Sequence, residues 1–275
     1  MRVVILSSSV YSETACAMAV RLAEKGYVPV GALALSALNS GTLLRKLGQW
    51  GVRETVSYAR AKVMPQRRDQ RPQPHNPYLQ PLLKNRSGFV SNLREVAASY
   101  GFPVAICSDQ NSPDASARLR EWSPDLIVFT GGNILRKPVL TVPRLGILNV
   151  HLGLLPEIRG MSTPEWSLLK NVPVGITFHY IDAGIDTGPI LQRFEFPDLA
   201  GCESLSDLRN RLIAFGIEKI GDVVASLDGG KTSLTPQATF NEDCQFFVMH
   251  EWLQACAAER LARSRTATLA GTRHG

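Results

Sequence analysis

The 275-residue sequence predicts an α/β fold built on a mainly parallel sheet with helices packed over it. Three observations carry this prediction. A short apolar run, Arg2–Ser7, is followed by a helical pattern and a second apolar run, Val28–Leu35, at the spacing of a strand–helix–strand crossover. Asp125–Thr130 is apolar almost without interruption, as expected of a strand covered on both faces. The composition, 44% apolar and 20% charged, is that of an ordinary globular chain.

The elements follow in order. Arg2–Ser7 reads as strand, and Ser7–Ser12 as a polar turn. Ala15, Met18, Ala19, Leu22 and Ala23 recur at helical spacing over Glu13–Lys25, with Ser12 placed to cap and Gly26 to terminate. Val28–Leu35 is the next strand. Residues 60–86 break the pattern with Pro65, Pro72, Pro74, Pro77 and Pro81 among Arg67, Arg68 and Arg71, and read as a long loop. Helix returns over Ser87–Ser99 and closes at Gly101. Val104–Cys107 is a strand, and Ser112-Pro113 is a strong helix start. Ile147–His151 is a strand, Thr163-Pro164-Glu165 reads as a capped helix start, and Val174–Ile181 pairs with Ile190–Phe196. Leu205–Leu227 is a long amphipathic helix, followed by a shorter helix and a basic tail. The domain reading is one catalytic domain over residues 1–240 and a helical extension over 241–275.

No apolar run is long enough to span a membrane, and the first residues lack a signal-peptide pattern. Five cysteines without CxxC or zinc spacing point to reduced thiols, no metal and a cytoplasmic location. The net charge of +6 is unevenly placed: residues 60–86 carry +6, while residues 87–258 carry −6. A nucleic-acid footprint over the middle of the chain is therefore not expected.

Chemistry-bearing residues concentrate between Gly146 and Gly188. Asn149 and His151 are two apart and share one face of a strand, at its carboxyl end. Asp186 lies in a glycine-flanked turn. An amide, an imidazole and a carboxylate suit acyl transfer, in which an oxyanion is stabilised and a proton is moved. No serine or cysteine sits in a nucleophile elbow, so no covalent intermediate is indicated. Residue types alone leave a second reading open, with His151 a satisfied core histidine.

Asn149-x-His151 followed by Leu154-Leu155-Pro156-x-x-Arg159-Gly160, then Gly175-x-Thr177-x-His179-x-x-Asp182-x-Gly184-x-Asp186-Thr187-Gly188-Pro189-Ile190, resembles the folate-dependent formyltransferases. The resemblance is strong over about residues 125–192. It implies a Rossmann-like three-layer fold and transfer of a formyl group from 10-formyltetrahydrofolate to an amine. Asn149, His151 and Asp186 fall on the family's triad. Asn149 and protonated His151 would stabilise the oxyanion, and Asp186 would hold His151 and accept a proton. The resemblance places the pterin against Asn133, Ile134, Leu135 and Leu140 and against Asp182, Ala183, Gly184 and Ile185. His179 alternates out of the site and is expected to be structural.

Two departures stand out. Leu152-Gly153 replaces the family's Pro-Ser after the histidine, and Ser7–Ser12 replaces a glycine-rich phosphate loop. Ser8 and Ser9, with the following helix amino terminus, are the expected anion contacts, and Arg159 the expected acceptor contact. The expected acceptor is a small-molecule amine, an amino sugar nucleotide or a specialised-metabolite precursor. Two alternatives are a 10-formyltetrahydrofolate hydrolase and a methionyl-tRNA formyltransferase-like enzyme. The first carries an extra amino-terminal domain, not seen before the strand at Arg2. The second carries a carboxyl-terminal barrel, for which only about 45 residues follow the long helix. Arg67, Arg68 and Arg71 could close over an anionic acceptor, and the oligomeric state is open, a homodimer included.

Overall fold

The computed structural model describes residues 1–36, 52, 75–85, 88–90, 92–237 and 244–271, with side chains of the last helix described to residue 264. Arg67, Arg68 and Arg71 lie outside the described residues. The chain divides into two compact units, Met1–Arg144 and Leu145–Gly275.

The first unit is a parallel α/β layer. Strands β1 (Val3–Ser7), β2 (Gly31–Leu35), β5 (Val104–Cys107) and β6 (Leu126–Phe129) lie in the order β5-β2-β1-β6, every neighbouring pair parallel. All five residues of β1 are buried, as a strand covered on both faces requires. Helix α1 (Glu13–Glu24) starts where Ser12 accepts the Ala15 N–H, and the chain turns away at Gly26, φ +87°. β2 begins at Gly31, later than Val28, and a β-carbon at Gly31 would meet the Trp122 ring at 2.6 Å, so the strand packs there only as glycine.

Residues 75–85 are not loop throughout. Pro77–Leu79 forms a 3₁₀ turn and Gln80–Leu83 a short helix, α2, each with proline in its first turn, where its missing N–H has no partner to lose. A small hairpin, β3 (Lys84–Asn85) and β4 (Gly88–Phe89), follows. The next helix, α3, spans Leu93–Tyr100 rather than starting at Ser87, because Asn92 supplies the cap and bonds Glu95 reciprocally. It ends at Gly101, φ +78°. Helix α4 (Pro113–Trp122) begins at the Ser112 cap, as the sequence predicts. A short α5 (Lys137–Leu140) closes the unit.

The three longest strands of the second unit pair antiparallel. β7 (Gly146–His151) pairs with β9 (Gly175–Tyr180), and β9 with β10 (Ile190–Glu195). A two-residue strand β8 (Arg159–Gly160) pairs with β11 (Gln245–Phe246), so residues beyond 241 form part of this unit's structure. Helix α6 (Thr163–Lys170) lacks the side-chain cap predicted at Thr163. The Thr163 hydroxyl donates instead to the Leu152 carbonyl at 2.7 Å, and Ser162, φ +52°, is the boundary residue. The long helix α7 (Leu205–Asp228) is capped by Ser204 and buries Leu208, Leu212, Ile217, Ile220, Val223 and Val224. The last helix, α8, covers Glu251–Gly271. No described helix is long and apolar enough to cross a membrane.

Candidate active site

The site lies within the second unit and begins with strand register. β7 and β9 pair so that Asn149 faces His179 and His151 faces Thr177. Directly opposed residues of an antiparallel pair project to the same face, so His179 joins Asn149 and His151. This corrects the expectation that His179 alternates away. Counting along one strand cannot say which face its neighbour presents.

Hydrogen bonds fix the chemistry of this pair. His179 Nδ1 lies 2.9 Å from the Tyr180 carbonyl oxygen, which can only accept, so Nδ1 carries a proton. Nε2 then accepts from Asn149 Nδ2 at 3.1 Å. His179 is 1% exposed, and burial, reinforced by the nearby His151 charge, pushes its pKa down to about 4. It is a neutral acceptor that orients the Asn149 amide.

His151 is held differently. Its Nε2 lies 2.8 Å from the Ile158 carbonyl oxygen and donates to it, while Nδ1 faces Asp186 Oδ2 at 3.5 Å. Both ring nitrogens therefore face protein groups. Gly153 makes this possible, since a β-carbon there would stand 3.1 Å from both His151 Nε2 and the Ile158 oxygen. The Thr177 hydroxyl accepts from Leu155 N and donates to Gly153 O, fixing the turn that carries Ile158.

Asp186 completes the group. Its Oδ2 accepts the Gly160 N–H at 2.9 Å, and its Oδ1 lies 3.6 Å from His179 Nε2. One carboxylate thus stands between two imidazoles. Asp186 has φ +54°, a left-handed conformation in which aspartate is among the better tolerated residues. Asp182 Oδ1 accepts from Gly184 N and Thr187 Oγ1. A β-carbon on Gly184 would overlap the Thr187 hydroxyl, and one on Gly188 the Tyr180 carbonyl.

The structure thus brings Asn149, His151 and Asp186 together and adds His179. It places Arg159 inside: 2% exposed, with Nη2 donating to Gln237 Oε1 at 3.1 Å. Of the loop residues in this unit, Ala183, Gly184 and Ile185 are exposed beside the turn that Asp182 anchors.

The remaining predicted contacts belong to the first unit. Ser8 is exposed, whereas the Ser9 hydroxyl is taken by the Tyr11 N–H. Glu13, the first residue of α1, accepts the His75 and Asn76 N–H groups, which sets a negative charge at that helix start. Leu135 is buried and Leu140 half-buried, but Ile134 is 80% exposed. Its loop is pinned: Gln110, fully buried, donates to Ser7 O and accepts from Asn133 N, and Asn111 bonds Ile134 O and Arg136 N. The run Asp109-Gln110-Asn111 carries the sequence signal for this brace, three side chains able to bond backbone.

A family model described as formyl transferase matches residues 61–224. Methionyl-tRNA formyltransferase of Trichlorobacter lovleyi is 35% identical over 149 residues, covering 53% of this chain and 46% of that protein. The corresponding enzyme of Geobacter metallireducens is 34% identical, over 50% of this chain and 45% of its own. The chain thus spans about half the length of the curated relatives it matches. Among solved structures, phosphoribosylglycinamide formyltransferase from Anaplasma phagocytophilum superposes with TM-score 0.56 at 20% identity, covering 90% of this chain and 99% of that one. A sugar N-formyltransferase from a Shewanella species gives 0.55 at 14%, covering 95% and 87%. These superpositions bear out the Rossmann-like α/β fold.

Proposed function

The chain belongs to the formyl transferase family, and from that we propose that it moves a formyl group from 10-formyltetrahydrofolate, the family's donor, to the amine of a small molecule. The observation that carries the reading is the Asp186 carboxylate set between His151 and His179, beside an amide whose orientation His179 fixes.

In such a transfer the amine nitrogen bonds the formyl carbon, the bond from that carbon to the donor's N10 breaks, and one proton passes from the amine to N10. Negative charge develops on the formyl oxygen. Asn149 has one Nδ2 proton engaged by His179 and a second to offer that oxygen. His151 gives its Nε2 proton to Ile158, so its part is to face Asp186 through Nδ1. This differs from direct oxyanion contact by both Asn149 and His151. Asp186 takes the amine proton, directly or through water, and returns it to N10.

The donor assignment of Asn133, Ile134, Leu135 and Leu140 and of Asp182, Ala183, Gly184 and Ile185 belongs to the same proposal. Within each unit it is supported by an exposed apolar side chain on a braced loop, Ile134 in one and Ile185 in the other. Ser8 remains the anion contact proposed at the first turn. Residues 1–240 as the catalytic domain, 241–275 as its extension, and a cytoplasmic location complete the reading.

The test is to incubate the protein with 10-formyltetrahydrofolate and a panel of amines, sugar nucleotides included, and follow tetrahydrofolate. Turnover that requires an amine is expected. Turnover without one would make the protein a hydrolase, and none with any amine would sink the reading. The identity to methionyl-tRNA formyltransferases favours a second acceptor, so charged initiator tRNA belongs in the panel. His151→Ala and Asp186→Asn should each lower the rate by about 100-fold or more. Near-normal activity of either variant would reject the role assigned to the residue it replaces.

A further inference from the structure

Asp186 is also held from a part of the chain some 50 residues further on. Thr235 exchanges both backbone hydrogen bonds with Ile190, at 2.8 and 2.9 Å, which lays the segment after α7 against β10. Two residues later, Gln237 Nε2 donates to the Asp186 carbonyl at 2.9 Å and to the Gly188 carbonyl at 2.7 Å. Its Oε1 accepts from Arg159 Nη2 at 3.1 Å.

The orientation of this amide is not arbitrary. A guanidinium can only donate, so Arg159 must receive the oxygen end, and both amide protons are then turned toward the two carbonyls. Those carbonyls are Asp186's own and that of Gly188, two residues on, so Gln237 clamps the turn leaving Asp186, whose backbone is left-handed, φ +54°. Such a conformation persists only where the surroundings over-determine it. The Arg159–Gly160 pair thus reaches Asp186 twice, at the carboxylate through Gly160 N–H and at the backbone through Gln237. Gln237 lies beyond residues 61–224, the stretch that matches the family model.

We propose that Gln237 is a positioning residue for the Asp186 carboxylate, acting as a double donor to the two carbonyls beside it, and that buried Arg159 serves to orient the Gln237 amide. The consequence for rate rests on Asp186 being the proton acceptor; the consequence for geometry does not.

Gln237→Glu separates the donor role from space filling. Glutamate has the same shape and can still meet Arg159, but has no N–H and sets a negative charge against two carbonyl oxygens. Both Gln237→Ala and Gln237→Glu are expected to lower kcat at least about tenfold with donor KM changed less than about twofold. Independently of activity, ¹⁵N-histidine spectra of the full chain should show the His151 and His179 ring signals displaced in both variants, with the His75 signal unmoved. Melting temperature is recorded alongside. Unchanged His151 and His179 signals in both variants would overturn the proposal, as would a Gln237→Glu variant with normal kcat. If the wild type turns over no donor with any amine, the formyltransferase reading falls while the histidine spectra still decide the role of Gln237.

Discussion

His179 shows how one buried side chain sets the chemistry of its neighbours. Tyr180 fixes its proton on Nδ1, and Asn149 then has an acceptor on only one side. Its ordinary value of 6.5 drops to about 4 in the fold. Between those values the unfolded chain binds more protons than the folded one, so stability rises with pH across this window. The contribution is present in full above about 6.5 and is lost as pH falls toward 4. Thermal melting between pH 7 and 4.5 is therefore expected to fall less steeply in His179→Gln, whose amide oxygen still accepts and does not titrate there. Parallel melting curves for the two proteins would show that His179 does not carry this effect. At this scale the motifs single out Asn149, His151 and Asp186 as candidates through their resemblance to the formyltransferases. It does not reveal that Ile158 and Gly153 dispose of the His151 Nε2 proton, because a backbone carbonyl has no sequence signature.

Strand β7 carries two of these residues, and its placement depends on a glycine in another element. Gly216, in the middle of α7, leaves room for Val150, the residue between Asn149 and His151; a β-carbon there would approach Val150 Cγ1 to 2.7 Å. Glycine is unfavourable inside a helix, so alanine would be preferred on helix propensity alone. Packing reverses that preference. Gly216→Ala is expected to destabilise by about 1–3 kcal/mol, the usual cost of overpacking a core, and to lower activity by moving β7. Urea unfolding measures the first and donor turnover the second; a more stable, fully active variant would show that β7 is not seated by this contact. Element by element, strands buried on both faces and helices with a serine cap are legible in the sequence, as at β6 and at Ser12 and Ser112. Thr163 is not, because its hydroxyl has a tertiary partner in Leu152 that prevails over the helix end. The prolines at 77 and 81 mislead because position within a turn, rather than proline content, decides whether helix is blocked.

Across the whole chain, charge and topology divide the labour. The residues that build the candidate site lie in the stretch 87–258, with net charge −6, while residues 60–86 hold +6. If Arg67, Arg68 and Arg71 meet an anionic acceptor, replacing all three with glutamine should raise acceptor KM and leave donor binding unchanged. Steady-state kinetics with the acceptor found in the amine panel gives the answer, and an unaltered KM would show that these arginines do not meet the acceptor. The sequence by itself determined the fold class through its periodicity and, through motifs that resemble the formyltransferases, the family and three candidate residues, because such patterns are local and survive in a linear string. Only the tertiary structure decided that His179 belongs with them, that Arg159 faces inward, and that Gln237 grips the Asp186 turn. Those facts depend on strand register, burial and contacts between residues distant in the chain, where the free energy of a side chain is set by what folding brings beside it.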